Sequence, residues 1–545
     1  MKRNILILLF VIPLFAACID DKGNYDYTEL ENIKIEGIPS VIEVLGYAEN
    51  ITVSPKITSS IDGEIRADNP NYTFQYRLGY KGMGSLGGYI ENVGSQAWVD
   101  ITPASGWDLD IPANYGPSTY ICWFTLTDKR NNVVTSYFFD VIVTSTTSEG
   151  WLVLCNEGAE ERVRLDMISS LSSTRIETIH DIAAGLPELH HATALGTVFK
   201  MSNPGDELSI FSKEGAYMLD QETLESGELM EFNLNQFGMD PGETMIAEIP
   251  FPASTYSWQV KYRFAFSDSG NVYLQDATSG GSAYGFPLNT TVPGTFAEFK
   301  VAPFVGFSWA RPWRGLDACA LFYDSDNQRF MVFRGEVGFG AEVEQKLSVI
   351  PDPTENKLFS FSTGRDMVYM EGTRRSNGLV YAILKDEAGK CSVYGINMSG
   401  SEFKQELYIE NVEAPGFEQA EHFAFHSKFP LMFYATGNKV YLYNLGTKTA
   451  KELTNIELGS AEIVTQLKFN LYKNTDYAAL TNQSEEFMEQ QYHLIVASYD
   501  EAAPGVDNGK VTFYKVDGVN DAVAKLKEYS GFAKIVDVVY RERAE

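Results

Sequence analysis

The sequence predicts a mostly β protein in which an N-terminal β-sandwich is followed by a C-terminal β-propeller, with seven as the expected number of blades. Tyrosine and phenylalanine contribute 30 and 34 of the 545 residues, and many stand in short β-prone runs bounded by Gly, Asn and Asp. Hairpin-like segments recur from residue 150 onward. Helical patterns are rare, and the clearest one predicts a helix over residues 520–529.

Residues 31–146 are predicted to form the sandwich, which is of the immunoglobulin-like kind. Short apolar runs alternate there with turn residues, at the spacing that β-sandwiches show. A chain of 545 residues has room for at least one further domain. The predicted strands cover residues 33–35, 41–44, 51–57, 72–78, 120–127 and 133–143.

Residues 147–545 are predicted to form the propeller. A strand, a turn and a second strand recur there seven times, and propeller blades are four-stranded sheets around a channel. No WD or kelch residues recur, so the number seven depends on the hairpins alone. The hairpins cover residues 150–165, 196–219, 264–275, 318–333, 378–396, 430–445 and 492–516.

The last strand-like run, residues 534–540, is predicted to close this ring. The run is rich in valine and isoleucine and stands at the C-terminus. An open ring leaves unpaired strand edges, which a final strand can cover by completing the first blade. We therefore expect residues 535–540 to pair beside residues 151–154.

The first 17 residues are predicted to be an export signal. Lys2 and Arg3 precede an apolar run that is too short to span a bilayer. Two small residues follow, and Cys18 comes directly after them. This stretch resembles the lipobox of bacterial lipoproteins, except that Phe15 stands where leucine is expected. An ordinary signal peptide with a chance cysteine is the alternative.

Cys18 is accordingly predicted to carry acyl chains such as palmitate and to be the attachment to the membrane. Residues 18–30 are polar and acidic, as in a flexible tether. Asp20 and Asp21 resemble the surface-export signal of Bacteroidetes lipoproteins. The expected location is therefore the outer membrane, with the protein facing the cell surface.

The formal net charge of −30 excludes some partners. Such a charge repels nucleic acid and anionic membrane surfaces. It also disfavours strongly anionic polysaccharides unless a local basic site exists. The cysteines beyond Cys18 form no CxxC pair or zinc-like cluster, and the sequence does not assign disulfides among them. They are Cys122, Cys155, Cys319 and Cys391, of which the first two lie in apolar runs where buried thiols are expected.

No catalytic residue, cofactor or metal site is predicted. The chain has no nucleophile elbow, phosphate-binding loop or dinucleotide fingerprint. His422 and His426 would lie about 13 Å apart on a strand, too far to share one metal. Asp324 and Asp326 alternate as in calcium loops, but a turn whose side chains bond their own backbone is favoured over a structural calcium ion.

The best predicted ligand site is the run 308–315 (SWARPWRG). Tryptophan rings stack on sugars or apolar side chains, and arginine can bind a carboxylate with two hydrogen bonds. A connecting loop that buries both tryptophans is the alternative. The predicted contact residues are Trp309, Arg311, Trp313 and Arg314.

Three segments resemble the PKD-like lipoproteins of Bacteroidetes, which are encoded beside SusC/SusD-type outer-membrane importers. They are residues 21–27 (DKGNYDY), 148–154 (SEGWLVL) and 531–537 (GFAKIVD). The resemblance implies that the sandwich is PKD-like and that the protein is a surface lipoprotein of a nutrient-uptake locus. SusC/SusD-like transporter proteins are the implied partners. No catalytic residues carry over, because the matching motifs are structural.

The expected function is therefore that of a binding or accessory subunit of a SusCD-type, TonB-dependent uptake system. The ligand would be a glycan or a peptide, between which the sequence does not decide. A propeller-based glycoside hydrolase or polysaccharide lyase is the alternative. A purely structural or adhesive propeller is a third possibility.

Overall fold

A computed structural model of the chain describes residues 31–81, 98–103, 105–170, 176–198, 207–221, 223–238, 240–251, 262–276, 283–307, 319–335, 343–398, 403–471 and 485–542. These residues form two compact units. The first comprises the chain up to Ala113 together with Thr119–Ile142, and the second comprises Asn114–Ser118 and Val143–Glu545. Within these ranges, no helix has the length and apolar character needed to cross a membrane.

The first unit is a set of antiparallel strands. Three sheets contain them, with strand orders β1-β4-β5, β2-β10-β9-β6-β7 and β3-β8. The strands are β1 (Ile33–Glu36), β2 (Val41–Leu45), β3 (Asn50–Val53), β4 (Lys56–Ser59), β5 (Gly63–Ile65), β6 (Tyr72–Tyr80), β7 (Val99–Ile101), β8 (Leu109–Pro112), β9 (Ser118–Asp128) and β10 (Val133–Thr144).

Most strands predicted for this unit are confirmed, and one is divided. In β9, Cys122, Phe124 and Leu126 are buried while the residues between them are not, which is the period-two pattern of a half-buried strand. The predicted strand 51–57 is instead two strands, β3 and β4. Pro55 lies between them and has no N–H group with which to continue a ladder.

A charged cluster fixes the start of this unit. The Arg130 guanidinium lies 3.0 Å from Glu31, 2.9 Å from Asp62 and 2.9 Å from Asp128. The Tyr72 hydroxyl donates to Glu31 at 2.5 Å and lies 2.6 Å from Asp62. Hydrogen bonds to Tyr72 and Arg130 hold the pKa of Asp62 below its usual range. The cluster thus joins residue 31 to the turn between β9 and β10.

The second unit contains seven sheets that follow one another along the chain. Sheet 1 contains β11 (Gly150–Glu157), β12 (Arg162–Ser170) and β13 (Ile176–Ile179), together with the C-terminal strand described below. Sheet 2 contains β14 (Ala192–Val198), β15 (Glu207–Ser212) and β16 (Ala216–Leu219), and sheet 3 contains β17 (Met245–Pro250), β18 (Tyr262–Ser267) and β19 (Val272–Asp276). Two short helices stand outside the sheets, α1 (Phe232–Gln236) and α2 (Glu485–Glu489).

Sheets 4 to 7 have four strands each. Sheet 4 contains β20 (Gly306–Phe307), β21 (Cys319–Asp324), β22 (Arg329–Arg334) and β23 (Ser348–Val349). Sheet 5 contains β24 (Asp366–Gly372), β25 (Leu379–Lys385), β26 (Cys391–Asn397) and β27 (Lys404–Ile409). Sheet 6 contains β28 (His422–Phe425), β29 (Leu431–Thr436), β30 (Lys439–Asn444) and β31 (Thr449–Glu452). Sheet 7 contains β32 (Glu462–Lys468), β33 (Leu494–Asp500), β34 (Gly509–Asp517) and β35 (Ala522–Phe532).

Each sheet packs against the next, and the seventh packs against the first. One apolar cluster lies between each consecutive pair of sheets from 1 to 7. A further cluster joins sheet 7 to sheet 1 through Phe513 and Trp151, whose rings lie 4.8 Å apart. Middle strands such as β15, β18 and β21 are therefore buried on both faces. This explains why they appear in the sequence as continuous apolar runs.

The last strand, β36 (Lys534–Arg541), belongs to sheet 1 and not to sheet 7. It pairs antiparallel with β11, so that Trp151 lies opposite Tyr540 and Leu152 opposite Val539. The predicted pairing of residues 535–540 beside residues 151–154 is confirmed. The seven predicted hairpins also correspond to pairs of neighbouring strands, one in each sheet. Residues 199–206 of the second predicted hairpin lie outside the described residues.

The helix predicted over residues 520–529 is wrong. This segment belongs to β35, an edge strand that pairs with β34 along its whole length. Val523 and Phe532 are buried against neighbouring strands, whereas residues 524–528 are exposed. The lysines and the glutamate at 525, 527 and 528 suit a solvated edge as well as a helix face, and pairing with β34 outweighs the local helix propensity.

One edge strand of each sheet contacts the corresponding strand of a neighbouring sheet, and we call these the inner strands. Contacts join β36 to β14, β14 to β17, β20 to β24, β24 to β28, β28 to β32 and β32 to β36. The Thr193 hydroxyl donates to the Ile246 carbonyl at 2.6 Å, and the Gln466 amide donates to the Val536 carbonyl at 3.2 Å. In sheets 2 to 7 the inner strand comes first along the chain, and a connection leads from it to the second strand of the same sheet.

Candidate functional site

The predicted contact residues Trp309, Arg311, Trp313 and Arg314 lie outside the described residues, as does Cys18. Residues 308–318 connect β20 to β21, and β20 is an inner strand. The described connections that leave other inner strands are therefore the equivalent positions at which to look for a site. The connections that leave the inner strands of sheets 5 and 6 also carry basic residues.

A basic patch, defined by Arg374, Arg375 and Lys428, lies on two of these connections. Its first two residues belong to the connection from β24 to β25. The Thr373 hydroxyl donates to the Leu379 carbonyl at 2.8 Å and accepts the Arg375 amide at 3.3 Å. The connection closes at a glycine, residue 378, with a φ of 122°, which side chains rarely adopt. The arginines are thus held on a fixed turn.

Lys428 belongs to the connection from β28 to β29, which His426 organises. The Nδ1 atom of His426 accepts the amides of Lys428 and Phe429 at 3.0 and 3.1 Å. The ring packs 5.0 Å from Phe469 and hydrogen-bonds the Tyr492 backbone. Burial, followed by the charge of Lys428, lowers the pKa of His426 to about 4. The imidazole is therefore neutral at physiological pH and shapes the turn.

The two connections are joined to each other. The Arg374 amide donates to the Ser427 hydroxyl at 3.1 Å. Besides burial, the charge of Lys428 and, to a smaller extent, that of Arg375 lower the pKa of His426. In the part of the chain that the structure describes, no carboxylate pairs with the Arg375 side chain. Its guanidinium is therefore open to a ligand.

An aromatic ring and one carboxylate complete the patch. The Lys428 ammonium lies 3.9 Å from the centre of the Tyr492 ring, in a cation–π contact. It also lies 2.5 Å from Glu489. A flat aromatic face beside an ammonium can hold a ring or apolar group together with a carboxylate. The patch is thus suited to an anionic ligand.

Ionisable side chains on the inner strands connect neighbouring sheets. Glu371 is the residue before Gly372, which ends β24, and its carboxyl accepts the Phe425 amide. Burial raises the pKa of Glu371 to about 7. Lys468 lies 2.7 Å from Asp537, and the other oxygen of Asp537 accepts the Leu195 amide at 3.2 Å. The first contact joins the inner strands of sheets 5 and 6. The other two join the inner strands of sheets 7, 1 and 2.

The residues considered for calcium form a turn. The Asp324 carboxylate accepts the amide of Asn327 at 3.0 Å, its side chain at 2.8 Å and the Arg329 guanidinium at 2.9 Å. Asp326 accepts the Lys300 amide at 2.9 Å. These oxygens are therefore engaged within the protein. Across the described ranges, no group of three or more His, Cys, Asp or Glu side chains is arranged to hold a metal ion.

The four cysteines beyond Cys18 form no disulfides with one another. Cys122 and Cys155 are buried as predicted, and Cys319 and Cys391 are buried as well. Burial raises the pKa of Cys122 to about 12 and that of Cys155 well above its usual range. The thiols are therefore protonated and behave as small apolar side chains.

The sequence analysis missed the basic patch. The sequence contains one indication of the patch: Arg374 and Arg375 form a basic dipeptide between two β-prone runs of an acidic chain. The two tryptophans of residues 308–315 favoured that loop as the predicted ligand site instead. The contribution of Lys428 depends on a neighbouring sheet, and only the fold brings it beside Arg374.

The PKD-like family model matches residues 18–185. The N-terminal domain is accordingly PKD-like, and the whole described chain is mostly β. No curated protein matches the chain.

Solved structures from bacteria resemble the chain at low sequence identity. A quinoprotein alcohol dehydrogenase-like protein from Bacteroides thetaiotaomicron has a TM-score of 0.38 and 12% identity, over 95% of this chain and 97% of that chain. A DUF4784 family protein from Bacteroides caccae has a TM-score of 0.29 and 9% identity, over 78% and 96%. A protein from Lactobacillus plantarum has a TM-score of 0.39 and 10% identity, over 72% and 99%.

Proposed function

We propose that this protein is a surface-exposed outer-membrane lipoprotein that serves as a binding or accessory subunit of a SusCD-type, TonB-dependent uptake system. Its second unit is a seven-bladed β-propeller that presents the ligand site. The ligand is a glycan or peptide that carries a carboxylate. The observation that carries the ligand part of the proposal is the basic patch in a chain with a net charge of −30.

The cyclic packing of the seven sheets supports the propeller. Every sheet shares an apolar cluster with the next, and β36 brings the C-terminus into the sheet that begins the unit. The inner strands contact one another, as blade strands around a common axis do.

Local charge supports a carboxylate as the recognised group. A strongly acidic protein repels an anion at long range, so a binding site needs converging cations at short range. Lys428 provides one of them over the Tyr492 ring, and Arg375, on the neighbouring connection, provides a second. An arginine can form two parallel hydrogen bonds with one carboxylate.

The sequence supports the location and the partners. The apolar run before Cys18 fits an export signal, and the acidic residues after it resemble a surface-export signal. The likeness to lipoproteins encoded beside importers supports SusC/SusD-like transporter proteins as partners.

Ligand binding by patch variants tests the proposal. The double variant Arg375→Gln/Lys428→Gln should bind uronate-containing oligosaccharides or peptides about tenfold more weakly than the wild type does. Neutral sugars and C-terminally amidated peptides are the comparison ligands. The matched control is Lys439→Gln, because this lysine is also exposed and paired with one glutamate. Titration calorimetry on the full mature chain gives the affinities.

Equal affinity of the wild type and the double variant for every ligand would remove the patch from the proposal. Turnover of any polymer by the purified protein would favour the hydrolase or lyase alternative over a binding subunit.

A further inference from the structure

We propose that an apolar strip on the outer edge of sheet 3 is the docking surface for a protein partner whose apolar recess is bordered by lysine and arginine. The strip consists of Leu229, Leu234, Phe286, Val292 and Phe296, which are 88%, 63%, 55%, 56% and 90% exposed. This inference goes beyond ligand binding and rests on the proposed function only in that an accessory subunit requires a partner.

Hydrogen bonds connect the segments of the chain that carry the strip. The Asn235 side chain donates to the Leu229 carbonyl at 3.0 Å, and Asn235 adjoins Leu234. The Tyr284 amide donates to the Gln236 carbonyl at 2.8 Å, which brings residue 286 close to α1. Residues 287 and 288 then follow β19, the edge strand of sheet 3. The strip therefore runs from α1 along that edge.

The loop that carries Val292 and Phe296 is held rigidly. The Glu298 amide donates to the Asn289 carbonyl at 2.8 Å and closes the loop. The Thr291 hydroxyl lies 2.9 Å from both carboxylate oxygens of Glu298, and the Thr295 hydroxyl donates to the Val292 carbonyl at 2.6 Å. A fixed loop that presents a phenylalanine to solvent loses little conformational entropy on binding, as interface anchors do.

The charges around the strip are acidic. Glu225, Glu228, Asp240 and Glu298 are exposed. Between residues 223 and 298 the described segments contain one cation, Arg263, which is buried 3.0 Å from Glu207. Charge complementarity therefore calls for a partner with a basic border. An anionic membrane surface and a second copy of this chain would both be repelled by the carboxylates.

Site-specific cross-linking in living cells tests this inference on the full lipidated chain. A photoreactive benzoylphenylalanine replaces Phe296 in one variant and Val519 in the control, because Val519 is 87% exposed in the connection after β34. We expect a protein adduct from position 296 and none from position 519. Sequencing of the linked peptide should find lysine or arginine flanking apolar residues.

Adducts with lipid alone, with a second copy of this chain or with an acidic peptide would overturn the inference, and so would the absence of any protein adduct. The double variant Leu234→Ser/Phe296→Ser should reduce recovery of the same partner at least about tenfold, whereas Val519→Ser should not. If importer proteins are recovered equally with both variants, the proposed function stands and the docking surface is wrong.

Discussion

The two units of the molecule are stabilised in different ways. The first unit is held at its start by a charged cluster around Arg130, in which several groups are partly solvent-exposed. In the second unit, β36 joins the C-terminal end to the first sheet. Its side chains lie in apolar clusters between sheets 7, 1 and 2. The interactions between solvated charges weaken with salt and change with pH. A core strand that two ends of the unit share contributes to the stability of every sheet that packs on it. We therefore expect the first unit to lose stability gradually as its charges are altered. Loss of β36 should instead unfold the second unit as a whole.

Deletion of residues 534–545 should have the largest effect. It removes β36 from sheet 1, exposes the edge of β11 and opens the cluster between sheets 7 and 1. We expect the second unit to lose its cooperative thermal transition and to become protease-sensitive, while the first unit keeps its own. Limited proteolysis with mass spectrometry distinguishes the two units, and deletion of residues 543–545 alone is the control. Persistence of both transitions would show that β36 does not close the second unit.

Asp537→Ala should have the next largest effect. The change leaves Lys468 without its partner at 2.7 Å and the Leu195 amide without its acceptor. Removing one member of a mostly buried ion pair should lower the free energy of unfolding of the second unit by about 2 kcal/mol. Urea unfolding gives the value, and Asp537→Asn, which keeps an acceptor oxygen, should lose less. An unchanged midpoint for Asp537→Ala would show that this contact does not tie the inner strands.

Arg130→Gln should weaken the first unit in a pH-dependent manner. Hydrogen bonds from Tyr72 and Arg130 hold the pKa of Asp62, and a hydrogen bond from Arg130 holds that of Asp128, below their usual 3.8 in the folded protein. The stabilisation is therefore fully present above about pH 4 and is lost as the pH falls through the lowered values. The difference in Tm between wild type and variant should be constant from neutral to mildly acidic pH and should shrink below about pH 4.

The control for this prediction is Lys34→Gln, because Lys34 is an exposed lysine of the same unit with a single carboxylate partner. It should change the Tm little at any pH. A difference for Arg130→Gln that grows in acid would contradict the assignment of the cluster as an anchor.

Leu526→Thr should have the smallest effect. Leu526 is 44% exposed on the edge strand β35, and threonine suits a strand. We expect a change in the free energy of unfolding within about 0.5 kcal/mol. Val523→Thr is the comparison, because Val523 is buried in the cluster between sheets 6 and 7. A large loss for Leu526→Thr would indicate that residues 520–529 pack as a helix after all.

The sequence predicted the hairpins and the closing strand because both depend on local signals. Gly, Asn and Asp mark the turns, and a valine-rich C-terminal run needs a partner strand. It predicted a helix at residues 520–529 where the structure has a strand, since lysine and glutamate suit either on a solvated face. It also could not bring Lys428 beside Arg374 and Arg375, because that proximity depends on how sheets 5 and 6 pack. The predicted loop with Trp309 and Trp313 stays a prediction.

Affinity purification of the tagged, lipidated protein from native outer membranes in mild detergent tests the central claim most directly. The account predicts that a TonB-dependent porin or a SusD-like lipoprotein is recovered in stoichiometric amounts. A matched preparation with Cys18→Ser, which removes the proposed lipidation site, should recover neither. Recovery of the lipidated protein alone, with no transporter component, would contradict the claim that it is a subunit of an uptake system.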